Sequence, residues 1–111
     1  MLEGLGANLE HYMDLVSARQ KLVASNLANA DTPGYKTQDI DFKREFEAQT
    51  GASPTPVTVA GLAAKNDGNN VSVDREARLL AENALRFSVA SALVREQLTA
   101  VRSAIQDGKG A

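Results

Sequence analysis

The chain has 111 residues with three phenylalanines, two tyrosines and no tryptophan, enough for one small domain but too little bulky material for a large buried pocket. Its 12 basic and 14 acidic residues give a net charge of -2, and no cluster of Lys or Arg is dense enough to suggest nucleic-acid or direct lipid binding. With no cysteine, disulfides, thiolate nucleophiles and Cys-based zinc sites are excluded.

Met1 to Met13 carry Glu3 and Glu10 but no Lys or Arg, so this stretch lacks the basic and apolar regions of a cleaved secretory signal. No segment approaches the length of a membrane span. From Leu2 to Ala30 the pattern is Leu2, Leu5, Leu9, Tyr12, Val16, Arg19, Val23, Asn26 and Ala30, a heptad seam with a polar gap at Arg19 and an amide at Asn26. Met13, Leu15, Ala18, Leu22 and Leu27 widen the stripe beyond what one partner helix covers. Gly4 and Gly6 weaken the first turn and put the regular start near Ala7. The N-terminal helical segment is assigned to residues 1–32.

Pro33 and Gly34 stop that helix near Ala30 or Asp31. Proline fixes its own φ and pushes Thr32 out of the helical region, while Gly34 stands where a type II turn requires positive φ. Asn26 and Asn29 lie on one face of the last turn, placed either to cap free helix carbonyls and the turn backbone or to bond a neighbouring chain. The spacing alone leaves both readings open.

Residues 33–70 form a weak middle. Asp39-Ile40-Asp41-Phe42 alternates as a short extended piece does, and Phe42 to Gln49 suits a turn or two of helix with Phe42 and Phe46 on one face. Thr50 to Asn70 is rich in Gly, Ala, Ser, Thr, Pro and Asn, with Val57, Val59 and Leu62 to bury and a turn at Asp67-Gly68. A mobile loop is expected there, holding at most a short β-hairpin.

The C-terminal helix is assigned to residues 71–107, with Asp74 as N-cap, Glu76 at the positive end of the dipole and Gly108 as the stop before a short tail, 108–111. Leu80, Ala84, Phe87, Ser91, Val94, Leu98, Val101 and Ile105 alternate four and three without a break. Leu85, Val89, Ala92 and Leu93 add a second apolar edge. The expected fold is therefore mainly α: two long terminal helices with heptad seams, packed as a helical hairpin or coiled coil around an irregular middle. At about 1.5 Å per residue each helix spans on the order of 40 Å. One stripe per helix falls short of offsetting roughly 1 to 2 kcal/mol of ordering entropy per residue. The surplus apolar residues thus read as subunit contacts: Leu9, Tyr12, Val16, Val23 and Leu27 on the first helix, and Leu80, Ala84, Phe87, Val94, Leu98, Val101 and Ile105 on the second.

Candidate chemistry is thin. His11, the single histidine, has Glu10 and Asp14 beside it, two ligands on an exposed turn that make no metal site. Asp39, Asp41, Glu45 and Glu47 have nothing around them to separate their pKa values and read as capping or solvated groups. Gly4-Leu5-Gly6 follows no strand and is no phosphate loop. Ser17, Ser25 and Ser88 have only His11 to serve them, outside any triad pattern. No catalytic residue, cofactor or metal is expected, and the chain does not read as an enzyme.

The segment Asn26-Leu27-Ala28-Asn29-Ala30-Asp31-Thr32-Pro33-Gly34-Tyr35 resembles the N-terminal signature of the bacterial flagellar rod and hook axial proteins. Asp67-Gly68-Asn69-Asn70-Val71-Ser72-Val73-Asp74-Arg75-Glu76, followed by Ala81 to Phe87, is similar to the proximal-rod members of that family rather than to its hook or distal-rod members. Thr50 to Lys65 is shorter than the family pattern. The resemblance implies a structural subunit of the basal-body rod, in the periplasmic space, exported unfolded by the flagellar type III apparatus without a cleaved signal. It implies partners too: other rod subunits, further copies of itself, the base adaptor protein and the export gate. The same residues leave two other classes in play, a small soluble helical adaptor or export chaperone and a minor enzyme or metal-binding bundle.

Overall fold

The computed structural model describes residues 2–48 and 51–110. Met1, Gln49, Thr50 and Ala111, which fall in the expected first helix, short helix, loop and tail, lie outside the described residues. The chain runs α1 (Leu2–Ala28), β1 (Gln38–Ile40), α2 (Phe42–Ala48), β2 (Pro56–Thr58) and α3 (Val73–Gly110). It is an elongated body of 71 × 24 × 17 Å. Helices α1 and α3 lie antiparallel along its length, while the short elements gather beside α1.

Helix α1 begins already at Leu2 rather than near Ala7. A glycine inside a helix costs on the order of 1 kcal/mol against alanine, but packing on α3 outweighs it: a Cβ on Gly6 would meet the Gln97 amide at 3.4 Å. At its other end α1 winds down through turn bonds, Asn29 N–H to the Ser25 and Asn26 carbonyls and Ala30 N–H to the Leu27 carbonyl.

Helix α3 starts one residue earlier than the expected Asp74 cap. Ser72 is the N-cap, its hydroxyl accepting from the Arg75 amide at 3.2 Å, which leaves Asp74 in the first turn beside Glu76, favourable to the dipole. Gly108 does not end the helix, which continues to Gly110.

The middle is more ordered than its composition implies. Strand β2 pairs antiparallel with β1, Asp39 opposite Val57, so the sheet joins the loop to the segment before α2 instead of forming a hairpin within the loop. Asp41 caps α2 by accepting from the Arg44 amide. Phe42 and Phe46 then stack along α2, with the Tyr12 ring edge-on to Phe42 at 5.5 Å. His11 is half-buried rather than simply solvated as expected: it stacks on Phe46 at 5.6 Å and bonds the Glu45 carbonyl at 3.0 Å.

The apolar core is Leu15, Val16, Val23, Ile40 and Ala90. Among the described residues buried polar side chains outnumber it: Asn26, Thr37, Asp39, Asn69, Asn70, Glu76 and Asn83. Each such burial is destabilising unless the group is hydrogen-bonded, and no buried side-chain nitrogen or oxygen among the described residues lacks a partner.

Candidate functional site: a polar clasp and two open apolar edges

Where α1 ends, the chain turns through Thr32-Pro33-Gly34-Tyr35. The Tyr35 amide donates to the Thr32 carbonyl at 3.2 Å and Gly34 has φ of 76°, the positive value that a type II turn requires and that a Cβ disfavours. A second turn lies directly against it. Gly34 N–H donates to the Asp67 carbonyl at 2.8 Å, and a Cβ on Gly68, itself at φ of 85°, would sit 3.5 Å from the Gly34 Cα. The two glycine turns, far apart in sequence, touch backbone to backbone.

Asparagines fasten this junction. Asn69, fully buried, donates from one amide nitrogen to the carbonyls of Asn29 and Thr32, both at 2.8 Å. Both carbonyls also accept turn amides, Asn29 from Thr32 and Thr32 from Tyr35, so Asn69 takes their second acceptor sites and ties the loop to the turn that follows α1. Asn70 Oδ1 accepts from the Thr37 amide at 2.7 Å and from its hydroxyl at 2.9 Å. Asn26, also at 0 % exposure, pairs with Gln38 as another strand would: its amide donates to the Gln38 carbonyl at 2.8 Å and accepts from the Gln38 N–H at 3.0 Å. The Tyr35 hydroxyl donates to the same Asn26 oxygen at 2.9 Å. Asn29 works locally, donating to the Ser25 carbonyl and accepting from the Thr32 hydroxyl. Both amides of the motif thus have partners inside the protomer.

An ionic chain continues from Asn26 through Glu76 to Asp39. Asn26 donates to Glu76 Oε2 at 3.2 Å, and Arg75 donates to Oε1 at 2.6 Å. Arg75 also reaches Asp39 Oδ2 at 2.9 Å. Arg19 grips the same carboxylate with two parallel bonds, 2.9 and 3.0 Å, the strong bidentate geometry of guanidinium and carboxylate. Burial pushes the Asp39 carboxyl up, but the bonds from Arg19, the Ile40 amide and Arg75 outweigh it and hold the group below its ordinary 3.8. Asp39 is therefore a buried structural charge, not the solvated or capping group expected. Arg19, the gap in the α1 seam, is its counter-ion. With every carboxylate oxygen of Asp39 and Glu76 bonded inside the protomer, the cluster ties α1, β1 and α3 together. Among the described residues no group of His, Asp and Glu suits a metal ion, and no helix is long and apolar enough to cross a membrane.

The long faces of the hairpin are different in kind. The line of α3 that meets α1 is Glu76, Asn83 and Ala90, continuing to Gln97 opposite Gly6, with Asn83 donating to Gln20 at 3.1 Å. The apolar line expected from the sequence runs beside it: Leu80, Ala84, Phe87, Val94, Leu98 and Ile105 are exposed and Val101 is half-buried. Leu85, Val89 and Leu93 form a second exposed edge. On α1, Val16 and Val23 are buried within the protomer, while Leu9, Tyr12 and Leu27 are half-buried. Leu5, Leu9, Leu85, Val89 and Leu93, with Tyr12 and Phe46 behind them, line an apolar groove of about 590 Å³.

Comparison with known proteins gives concordant results. Residues 13–36, from mid-α1 through the glycine turn, match the family described as Flagella basal body rod protein. Flagellar basal body rod protein FlgB of Cereibacter sphaeroides is 34 % identical over 83 % of this chain and 86 % of its own length. FlgB of Salmonella typhimurium is 30 % identical, and that of Escherichia coli K12 29 %, each over 97 % of this chain and 99 % of the relative. The two latter alignments extend over 137 positions against 111 residues in this chain, so this chain omits residues that those relatives carry.

Proposed function

The chain belongs to the flagellar basal body rod proteins, structural subunits rather than enzymes, and we propose that it builds the proximal part of the rod, polymerising through its two terminal helices after export by the flagellar type III apparatus. The observation that carries this reading is the pairing of near full-length similarity to FlgB with a hairpin whose α3 leaves an apolar edge open on both sides of its contact with α1. A finished monomeric domain has no use for so much exposed leucine and valine, whereas a tube of helices covers each edge with a neighbour.

In this reading the subunit sits in the periplasmic space at the base of the rod, with the export gate and base adaptor protein below, other rod subunits above and further copies alongside. Export without a cleaved signal delivers an unfolded chain. The small apolar core suits that route, because little packing has to be undone or delayed. A dilute monomer is expected to be only partly helical and to gain helix on assembly, whereas an adaptor or chaperone of this size would be a fully helical, cooperatively melting dimer. Circular dichroism at low micromolar concentration separates the two. The decisive experiment is a chromosomal deletion complemented by a tagged copy in the bacterium of origin. The deletion is expected to be non-motile and the tagged chain to copurify with basal bodies. A deletion strain that builds complete hooks and swims would reject the proposal.

A further inference from the structure

Two unpartnered features follow one another along the hairpin. One is the apolar groove formed by Leu5 and Leu9 of α1 with Leu85, Val89 and Leu93 of α3. The other is the last third of α3. Because Gly6 faces Gln97 and the helices are antiparallel, α3 beyond about Val101 runs past Leu2, the first residue described. Its apolar line continues there regardless, with Leu98 at 49 % and Ile105 at 54 % exposure. Leu98, Val101 and Ile105 follow the four-three spacing that lets one helix seat in a groove between two others.

Charge decides what fills the groove. Arg95 and Arg102, seven residues apart on the same side of that line, make no ion pair among the described residues. On the groove, Glu82 pairs with Arg86 at 3.6 Å, but Glu96 borders the Leu5, Leu9 and Leu93 end with no ion pair among the described residues. An apolar groove with an unpaired acid at its rim thus matches an apolar helix line flanked by unpaired arginines, and one chain carries both. Resting on the rod-subunit reading above, we propose that the groove receives the C-terminal third of α3 from a second copy of this chain. Groove and line are separate surfaces, so the contact is heterologous and repeats from copy to copy into a ring or helical array instead of closing as a two-fold dimer.

The chain has no cysteine, so introduced thiols report the contact without background. Doubly substituted chains pairing Val89→Cys or Leu93→Cys with Leu98→Cys or Ile105→Cys are expressed in the bacterium of origin, and basal bodies are isolated and mildly oxidised. A disulfide needs Cα atoms within roughly 7 Å. Val89→Cys with Ile105→Cys cannot close within one helix, where about 1.5 Å per residue separates them by about 24 Å. The expected result is a ladder of linked multimers from at least one groove and tail pair, and monomer from every single variant. Glu96→Arg should cut the ladder about threefold, as an exposed ion pair allows, and adding Arg102→Glu should restore it. Basal bodies that contain the variants but give no ladder from any pair would overturn the proposal while leaving the rod subunit standing. So would dimers from a single variant, which mean a two-fold contact, or a groove thiol linked to a different protein. Absence of the chain from basal bodies would sink the rod-subunit reading, and this inference with it.

Discussion

The two ends of the hairpin solve opposite problems. At the glycine turns almost every buried group is polar and every one has a partner within the chain, from Asn69 on the α1 carbonyls to Arg19 and Arg75 on Asp39. At the other end the surface is apolar and open, with Leu98 at 49 % and Ile105 at 54 % exposure. Polar contacts satisfied within a protomer fix one geometry, because any slip leaves a desolvated donor or acceptor without a partner. Apolar surface is indifferent to direction and, on the reading proposed above, serves for burial between copies. On that reading the difference separates folding specificity from assembly affinity along one pair of helices, and substitutions at the two ends should have sharply different consequences.

The largest effect on the protomer is expected from Asp39→Ala. It leaves the Arg19 and Arg75 guanidinium groups facing each other without their carboxylate, and breaking a buried pair from one side costs about 3–5 kcal/mol. Both arginines keep some contact with water, which favours the lower figure. In hydrogen exchange the amides of β1 and of the first turn of α3 should lose protection before those at the open end. Uniform loss along both helices would mean the clasp is not a separate cooperative unit. Next comes Asn26→Ala, which strands the Gln38 amide and carbonyl and the Tyr35 hydroxyl, a loss of about 2–3 kcal/mol. Its signature is local: Tyr35 should become solvent-exposed by fluorescence quenching while Tyr12, packed on Phe42, stays protected.

Why the sequence disclosed one end and not the other follows from what periodicity measures. Long helices, the turn at Pro33-Gly34 and the second turn at Asp67-Gly68 are written in residues whose backbone preferences act locally. The inner line of α3 is Glu76, Asn83 and Ala90, and a search for apolar spacing passes over it to the exposed Leu80, Phe87 and Val94 alongside. Strand β1 is three residues long, too short for alternation to say that Asp39 is the buried member. One signal did point there: Arg19 interrupts the α1 seam one heptad before Asn26, and a guanidinium on an otherwise buried stripe calls for a carboxylate opposite.

Acid should act on the closed end through Asp39. The Asp39 carboxyl is held below its ordinary 3.8, so it binds protons less readily folded than unfolded. Its contribution is therefore fully present above that ordinary value and is lost as pH falls below it toward the folded value. Thermal melting followed by circular dichroism from pH 7 downward should show little change due to this group until pH is below about 4, and Asp39→Asn should remove that part of the acid dependence. If the variant melts with the wild-type pH profile, Asp39 is not the group that titrates.

The smallest effect on the protomer, and the one that divides the two ends most cleanly, belongs to Leu98→Asp. Leu98 is about half exposed, so in a lone chain the aspartate remains hydrated and the stability change should stay within about 0.5 kcal/mol, as for other surface substitutions. Helix content and melting temperature are expected to match wild type. In a polymer the same carboxylate would be desolvated against leucines at a cost of several kcal/mol, multiplied over every repeat of the contact, so cells carrying it should export the protein and fail to swim. Asn29→Ala is a control from the other end: it removes a local cap worth about 1 kcal/mol and should loosen the end of α1 while the assembled rod holds it in place. Normal motility with Leu98→Asp would mean that this part of α3 faces solvent in the rod, and the open end would then need another explanation for its apolar surface.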